Sequence, residues 1–356
     1  MTRRHLLLAI AQASLPVAKG QALASNEARN LSFPLQNIDG STTPPDLFFV
    51  RDHFSEPDLS LSAWTLRIEG RVSHPFALTF ADLLESPTKK LEALLECAGN
   101  GPGGAAASNA VWEGVPIADL LARASPAPDA ASVILEGADS GRLGAELPNL
   151  PYSQLVPISK CLSQESMVAF KFNDRFLPRK NGFPARALLP AWYAMDSVKW
   201  LQRIVVLGSD AEARDFRASG MDKLYNRVVK SDGNESKTRL TTLQVKSVIA
   251  WPPENARLPI GTHAVRGFAW TGSAVIKSIS LSCDAGRTWL PAQFESQPRP
   301  LTWVRWKYSW RAERGEHVLI ARAVDDAGRE QPLERDPARR DGYEWNTCTP
   351  VHCSVR

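Results

Sequence analysis

From about Thr241 onward the chain keeps a two-residue rhythm that only extended strands can use. In Ser278-Ile279-Ser280-Leu281-Ser282-Cys283 the odd positions are apolar, and Asp284-Ala285-Gly286 then supplies a turn. In Val304-Arg305-Trp306-Lys307-Tyr308-Ser309-Trp310-Arg311 the even positions are apolar. Successive side chains of a strand point to opposite faces, so each segment has one face for a core and one for water. Short strands of this kind over roughly a hundred residues predict a β-sandwich of immunoglobulin-like type. Trp251, Trp270, Trp289, Trp303, Trp306, Trp310 and Trp345 all fall here. Most are expected in the core, and Trp303, on the Arg/Lys face, is a candidate interface anchor.

The preceding part mixes periods. Trp64-Thr65-Leu66-Arg67-Ile68-Glu69-Gly70 alternates like a half-buried strand, and Ser132–Gly137 and Arg203–Leu207 also read as strands. Thr79–Leu84 and Pro116–Arg123 read as short helices with an acidic first turn. Short elements of both kinds between Pro and Gly turns predict an α+β domain rather than a regular doubly wound sheet. Between Asp210 and Thr241 the chain turns polar, ending in Lys230-Ser231-Asp232-Gly233-Asn234-Glu235-Ser236-Lys237, which reads as a linker or boundary loop. A length of 356 residues favours two domains, here residues 25–240 and 241–356.

Residues 1–24 read as an export signal. Arg3-Arg4 precede a modest apolar stretch, Leu6–Ile10, and Ala22-Leu23-Ala24 offers small residues for cleavage. The paired arginines resemble a twin-arginine signal, with a plain secretory signal as the alternative; either predicts a periplasmic protein. The apolar part is too short and interrupted to span a bilayer, and no membrane span is expected elsewhere. A net charge of +4 suits an anionic substrate or acidic partner, but Lys and Arg are scattered, so nucleic-acid binding is not expected. The five cysteines, Cys97, Cys161, Cys283, Cys348 and Cys353, form no Cys-x-x-Cys, which argues against zinc ribbons and c-type haem. Cys348-Thr349-Pro350-Val351-His352-Cys353 reads as a local disulfide or two unrelated core thiols.

In Leu95-Glu96-Cys97-Ala98-Gly99-Asn100 an apolar run delivers one thiol to a stretch where Gly99, Gly101, Gly103 and Gly104 remove side chains. This is how a fold offers a soft thiolate to a bulky metal-bearing cofactor. A buried structural cysteine at a strand end is the ordinary alternative. The run Gly99-x-Gly101-x-x-Gly104 also matches a dinucleotide fingerprint, but Pro102 and the following Ala105-Ala106-Ala107-Ser108-Asn109 offer no clear amphipathic helix.

Other motifs lie in register with Cys97: Asp46-Leu47-Phe48-Phe49-Val50-Arg51-Asp52-His53 upstream, then Asn181-Gly182-Phe183-Pro184-Ala185-Arg186 and Ser197-Val198-Lys199-Trp200-Leu201 downstream. From about Leu47 to the C-terminus the chain resembles the sulfite oxidase family of molybdenum-pterin enzymes. The resemblance implies a molybdenum-molybdopterin cofactor with Cys97 as the protein's metal ligand. It implies that Arg51 draws in a small sulfur oxyanion, for which a guanidinium's paired, permanent donors suit. Phe49, Val50, Arg51, Asp52 and His53 are then expected to line the cofactor, with Asp52 standing where better-known members carry Asn. Asn181, Arg186, Ser197, Val198 and Lys199 resemble the pterin and phosphate clamp. Asp139 resembles an acid on the pterin ring, or is an ordinary turn Asp. Tyr225 lies where the family has an active-site Tyr. The segment Gly101–Ala107 is shorter than the family's loop, which predicts a wider pocket without a second substrate-facing Arg and without an aromatic wall.

The resemblance implies oxidation of sulfite to sulfate, with electrons leaving to a c-type cytochrome, because no haem or flavin domain is expected in this length. It also implies a homodimer formed through the second domain. Sulfane dehydrogenase and sulfoxide reductase are the alternatives within the family, and a binding module with an empty cofactor domain is the alternative outside it.

Overall fold

The computed structural model describes residues 28–208, 212–213, 216–217, 221, 224–231 and 233–356, so the export segment lies outside the described residues. The first part of the chain is built mainly from two five-stranded sheets. One orders Arg175–Phe176, Met167–Phe172, Ala107–Pro116 and Lys89–Glu96, with Arg186–Leu188 added on Met167–Phe172. The other orders Phe76–Thr79, Thr65–Gly70, Leu201–Leu207, Ser132–Gly141 and Leu150–Pro157, antiparallel except where Leu201–Leu207 runs parallel to Thr65–Gly70. Leu66, Ile68, Val133, Leu135, Ile204 and Val206 face Val115, Val168, Phe170 and Ala187 across one core. The first sheet is buried on its other face too, where Ala93, Leu95, Trp112, Met167 and Ala169 meet Phe48 and Phe49. Burial on both faces explains why Ala93, Leu94 and Leu95 are apolar in succession instead of alternating.

The two expected helices form, as Phe80–Glu85 and Ile117–Ala124. Thr79 and Asp82 make a reciprocal capping box at the start of the first, with Asp82 N donating to Thr79 Oγ1 at 3.2 Å and Thr79 N donating to Asp82 Oδ2 at 2.9 Å. The second ends where Ser125 turns to φ +54°. Helices in this domain are short and peripheral, so the expected α+β character is met only in part: the domain is mostly β.

Beyond it lie a four-stranded and a five-stranded sheet. The first orders Lys246–Trp251, Gly261–Trp270, Val304–Ala312 and Gln293–Phe294. The second orders Ala256–Leu258, Val351–Val355, Gly315–Asp325, Ile276–Ser282 and Leu290–Pro291. Val265, Trp306 and Trp310 from one sheet pack against Ile279, Leu281, Leu319 and Ala321 from the other. Trp303 is buried inside the chain, its ring tilted against that of Phe268 at 4.6 Å and its indole N–H donating to Ser41 O, so it joins the two domains.

The polar stretch expected as a linker is different. Asn226–Ser231 and Asn234–Arg239 pair as an antiparallel hairpin. It is gripped by the end of the chain through Val229 bridging Arg339 and an Arg227–Glu344 ion pair at 2.7 Å. Both faces of this hairpin are largely polar, so no alternation betrays it in the sequence. Cys348 and Cys353 are buried and unbonded, which removes the local disulfide and leaves two core thiols. No helix among the described residues is long and apolar enough to cross a membrane.

Candidate functional site

Every residue singled out from the motifs lines one cavity of about 280 Å³. Each arrives by a different backbone device. The short strand Val50–Arg51 pairs with Asn30–Leu31 and carries Phe49, Val50, Arg51, Asp52 and His53 along one wall. Cys97 follows the end of Lys89–Glu96; its N–H donates to Ala106 O at 3.0 Å, and Asn100 N closes a turn on Cys97 O at 2.9 Å. Asp139 sits where the pairing of Ser132–Gly141 with Leu150–Pro157 slips between Glu136 and Ser140, an irregularity that re-aims a side chain. Asn181 ends a single 3₁₀ turn, Arg186 opens the strand Arg186–Leu188, and Ser197, Val198 and Lys199 follow the turn Ala194–Asp196. Tyr225 holds a left-handed φ of +59°, costly for a residue with a Cβ and the kind of strain that collects at functional sites.

Glycine is required where these segments cross. Gly182 takes φ +108°, and a Cβ there would stand 3.1 Å from both Arg186 Cβ and Lys199 Cβ. A Cβ on Gly137 would meet Asp139 Oδ1 at 2.6 Å and Lys199 O at 2.7 Å. Larger residues would push Arg186, Lys199 and Asp139 out of the positions that shape the cavity.

The deep part of the cavity is cationic. Arg186 is buried and donates to Asn181 O at 3.1 Å and Ser197 O at 2.6 Å, meeting backbone carbonyls instead of a carboxylate. Burial pushes its guanidinium down to about 9. Lys199 pairs with Asp52, donates to Lys180 O at 3.2 Å and lies 4.2 Å over the Trp200 ring. The acid at position 52, where an amide was the expectation, therefore serves as the counter-ion of Lys199. Asp139 is 3% exposed, and burial raises its carboxyl to about 7 against the opposing pull of Lys199. Among the described residues, Asp139 Oδ1 and Asn181 Oδ1 are buried without a hydrogen-bond partner. Buried acceptors of this kind are costly unless something donates to them. Two unpaired acceptors beside a buried guanidinium and an ammonium fit a ligand that carries ring N–H donors and a phosphate.

Around Cys97 the cavity is more aromatic. Burial raises the thiol's pKa, opposed by a bond from the Gly99 backbone and by the nearby Arg51 guanidinium. Arg51 is itself tethered, donating to Leu31 O at 2.9 Å, Val50 O at 3.0 Å and Ser32 Oγ at 2.6 Å. Tyr225 Oη lies 3.3 Å from His53 Nδ1 and within hydrogen-bonding reach of Tyr152. Burial lowers the His53 pKa and raises that of Tyr225, so a neutral imidazole and a protonated phenol face the cavity.

Tyr152, Lys180, Met195 and Tyr343 also line the cavity and were not singled out from the sequence. Tyr152 occupies an alternating strand position, where an aromatic reads as core. Lys180 adjoins Asn181 and was within reach of the same motif. Tyr343 comes from the far end of the chain, is packed 5.7 Å from Tyr225, and carries no local signal. It corrects one expectation: aromatic lining at the Cys97 end is present, supplied by the second domain rather than by the shortened loop. Among the described residues no group of three or more His, Cys, Asp or Glu side chains converges to hold a metal, so Cys97 is a solitary soft donor here.

The family described as oxidoreductase molybdopterin binding domain matches residues 53–214, and that described as Mo-co oxidoreductase dimerisation domain matches residues 237–339. The chain is 28% identical to the sulfite oxidase of Gallus gallus over 322 residues, 82% of this chain and 68% of that protein. It is also 28% identical to an NADPH nitrate reductase of Emericella nidulans over 301 residues, 75% of this chain but 34% of that one. It thus spans only part of these relatives' length. The crystal structure of the sulfane dehydrogenase SoxCD from Paracoccus pantotrophus superposes with a TM-score of 0.80 at 26% identity, covering 96% of this chain and 95% of that one.

Proposed function

The chain belongs to the sulfite oxidase family of molybdopterin-dependent oxidoreductases, and from that premise we propose that it oxidises sulfite to sulfate and passes the electrons to a separate acceptor. Its cofactor is molybdenum held by molybdopterin. The observation that carries the reading is the meeting in one cavity of the Cys97 thiol and the Arg51 guanidinium, above the buried cations Arg186 and Lys199.

The unpaired oxygens of Asp139 and Asn181 would accept from the pterin, and Arg186 and Lys199 would neutralise its phosphate, helped by donors near Ser197 and Val198. Phe49, Val50 and the Asp52–Lys199 pair hold the wall on which it would lie, with His53 at its edge. Cys97 would give the metal its protein thiolate, a soft donor suited to it. When bound, this group supplies two-electron redox chemistry for sulfur. The chain's own work is orientation and charge. Arg51 draws the oxyanion toward Cys97, and Tyr225, kept protonated by burial, donates a hydrogen bond to the oxygen side of substrate or product. Sulfite plus water becomes sulfate with release of two protons and two electrons, and a c-type cytochrome is the acceptor we favour. We read the second domain as immunoglobulin-like and as the contact surface of a homodimer, in keeping with the dimerisation-domain match.

A second reading, sulfane oxidation, is supported by the near-complete overlap with the sulfane dehydrogenase structure and by the aromatic lining that Tyr343 brings. Purified protein decides between them. We expect about one molybdenum per chain, and sulfite-dependent reduction of an artificial acceptor. Metal-loaded protein inert to sulfite but reduced by a sulfane-sulfur compound would select the second reading; protein without metal after expression in a cofactor-competent host would favour a binding module.

We further read residues 1–24 as a twin-arginine signal that exports the folded, loaded protein to the periplasm. Arg3-Arg4→Lys-Lys is then expected to leave the precursor in the cytoplasm, scored by cell fractionation. Undiminished periplasmic activity in cells lacking the twin-arginine translocase would rule this route out.

A further inference from the structure

The segment around Cys97 is gripped by the second domain at successive points. Glu96, directly before Cys97, is 4% exposed. Its Oε2 accepts from Trp270 Nε1 at 2.8 Å; its Oε1 accepts from Asn100 Nδ2 at 2.8 Å and lies 3.5 Å from Lys246 Nζ. Lys246, 1% exposed, also donates to Gly101 O at 2.9 Å and lies 5.8 Å over the Trp270 ring. On the other side of the thiol, Glu344 N donates to Ala98 O at 2.9 Å, and Thr349 Oγ1 donates to Pro102 O at 3.0 Å. Gly104 takes φ +73°, and a Cβ there would stand 3.1 Å from Val248 and 3.3 Å from Trp270. Within the loop, Asn100 Oδ1 accepts from Ala106 N at 2.9 Å, closing the turn that carries Cys97.

A buried ion pair is a poor device for stability alone, because desolvation offsets most of its attraction and apolar side chains would pack as well. What a satisfied buried network supplies is a single geometry. Here its bonds end on Glu96, Asn100 and Gly101, the residues flanking Cys97 on both sides. We infer that the second domain is part of the active site's framework and sets the position of the Cys97 thiol, with Lys246 and Trp270 as positioning residues acting through Glu96 and Gly101. This rests on the reading of Cys97 as the metal's protein ligand. It gives the domain a role separate from dimer contact.

The test uses the holoenzyme and two variants. Lys246→Met leaves Glu96 without its counter-ion, and Trp270→Phe keeps an aromatic ring while losing the indole N–H and the volume of its second ring. Each is followed by amide hydrogen exchange over residues 97–106 and by the spectrum of the bound metal, with Cys97→Ser as reference. We expect exchange of the loop to quicken about tenfold or more while the sheets keep their protection. The metal's spectrum should shift in the same direction as in Cys97→Ser, and to a smaller extent. Trp270→Phe decides the matter if Lys246→Met does not fold. Unchanged loop exchange in a folded variant would overturn the inference. So would quickened exchange with an unaltered metal spectrum, provided Cys97→Ser does alter it, because the loop would then be held without placing the ligand. If Cys97→Ser itself leaves the spectrum unaltered, the ligand reading fails and the positioning role falls with it, whereas quickened exchange would still report the grip.

Discussion

Cys97→Ser is expected to lower sulfite-dependent turnover on the order of a thousandfold or more, since losing even one polar group at a reacting centre costs about 10²–10³. The substitution changes a single atom, from a soft sulfur donor to a harder oxygen. The backbone bonds that hold the turn, Cys97 N to Ala106 O and Asn100 N to Cys97 O, are untouched, so the protein should fold and keep its thermal midpoint within a few degrees. Pterin should also remain, because Asp139, Asn181, Arg186 and Lys199 are distinct from the thiol. The decisive measurements are turnover, pterin content and the metal's absorption on one preparation. Parental activity with an unchanged metal spectrum would show that Cys97 is not the ligand.

Arg51→Gln should be the next most damaging change. It removes the cation nearest Cys97 and the bonds to Leu31 O, Val50 O and Ser32 Oγ that hold that side chain in place. Loss of a charge-assisted contact to an oxyanion is expected to cost on the order of 2–4 kcal/mol in kcat/KM, roughly thirty- to a thousandfold. The other cations of the cavity are poor substitutes, because Lys199 and Arg186 are the buried pair that would face the cofactor's phosphate, each held in place there by Asp52 or by backbone carbonyls. The loss should concentrate on the anion, leaving reduction of the metal by a small artificial donor close to parental. Ser32→Ala, which loosens Arg51 without removing its charge, should cost much less. Sulfite kinetics matching the parent at both low and high salt would locate the anion site elsewhere and favour the sulfane reading.

The cavity's composition is largely legible in the sequence, because short motifs carry it. Phe49 to His53, Cys97, Asn181 to Arg186 and Ser197 to Lys199 each span a few residues whose type and order survive in the sequence. In the second domain the strands Ile276–Ser282 and Val304–Ala312 are equally visible, since part of one face of each meets water and the alternation is written residue by residue. Visibility failed where neighbours in space are distant in the chain. Nothing local in Asn226–Arg239 marks a hairpin, because both of its faces are largely polar and its partners, Arg339 and Glu344, lie a domain away. Nothing around Tyr343 announces that it packs beside Tyr225, or around Lys246 that its ammonium group reaches Glu96. The chain by itself determined which donors, cations and turns are available, because these follow from residue type and nearest neighbours. Only the tertiary structure decided that the second domain would hold the Cys97 loop and wall the cavity, because burial and long-range hydrogen bonds depend on how the two domains dock.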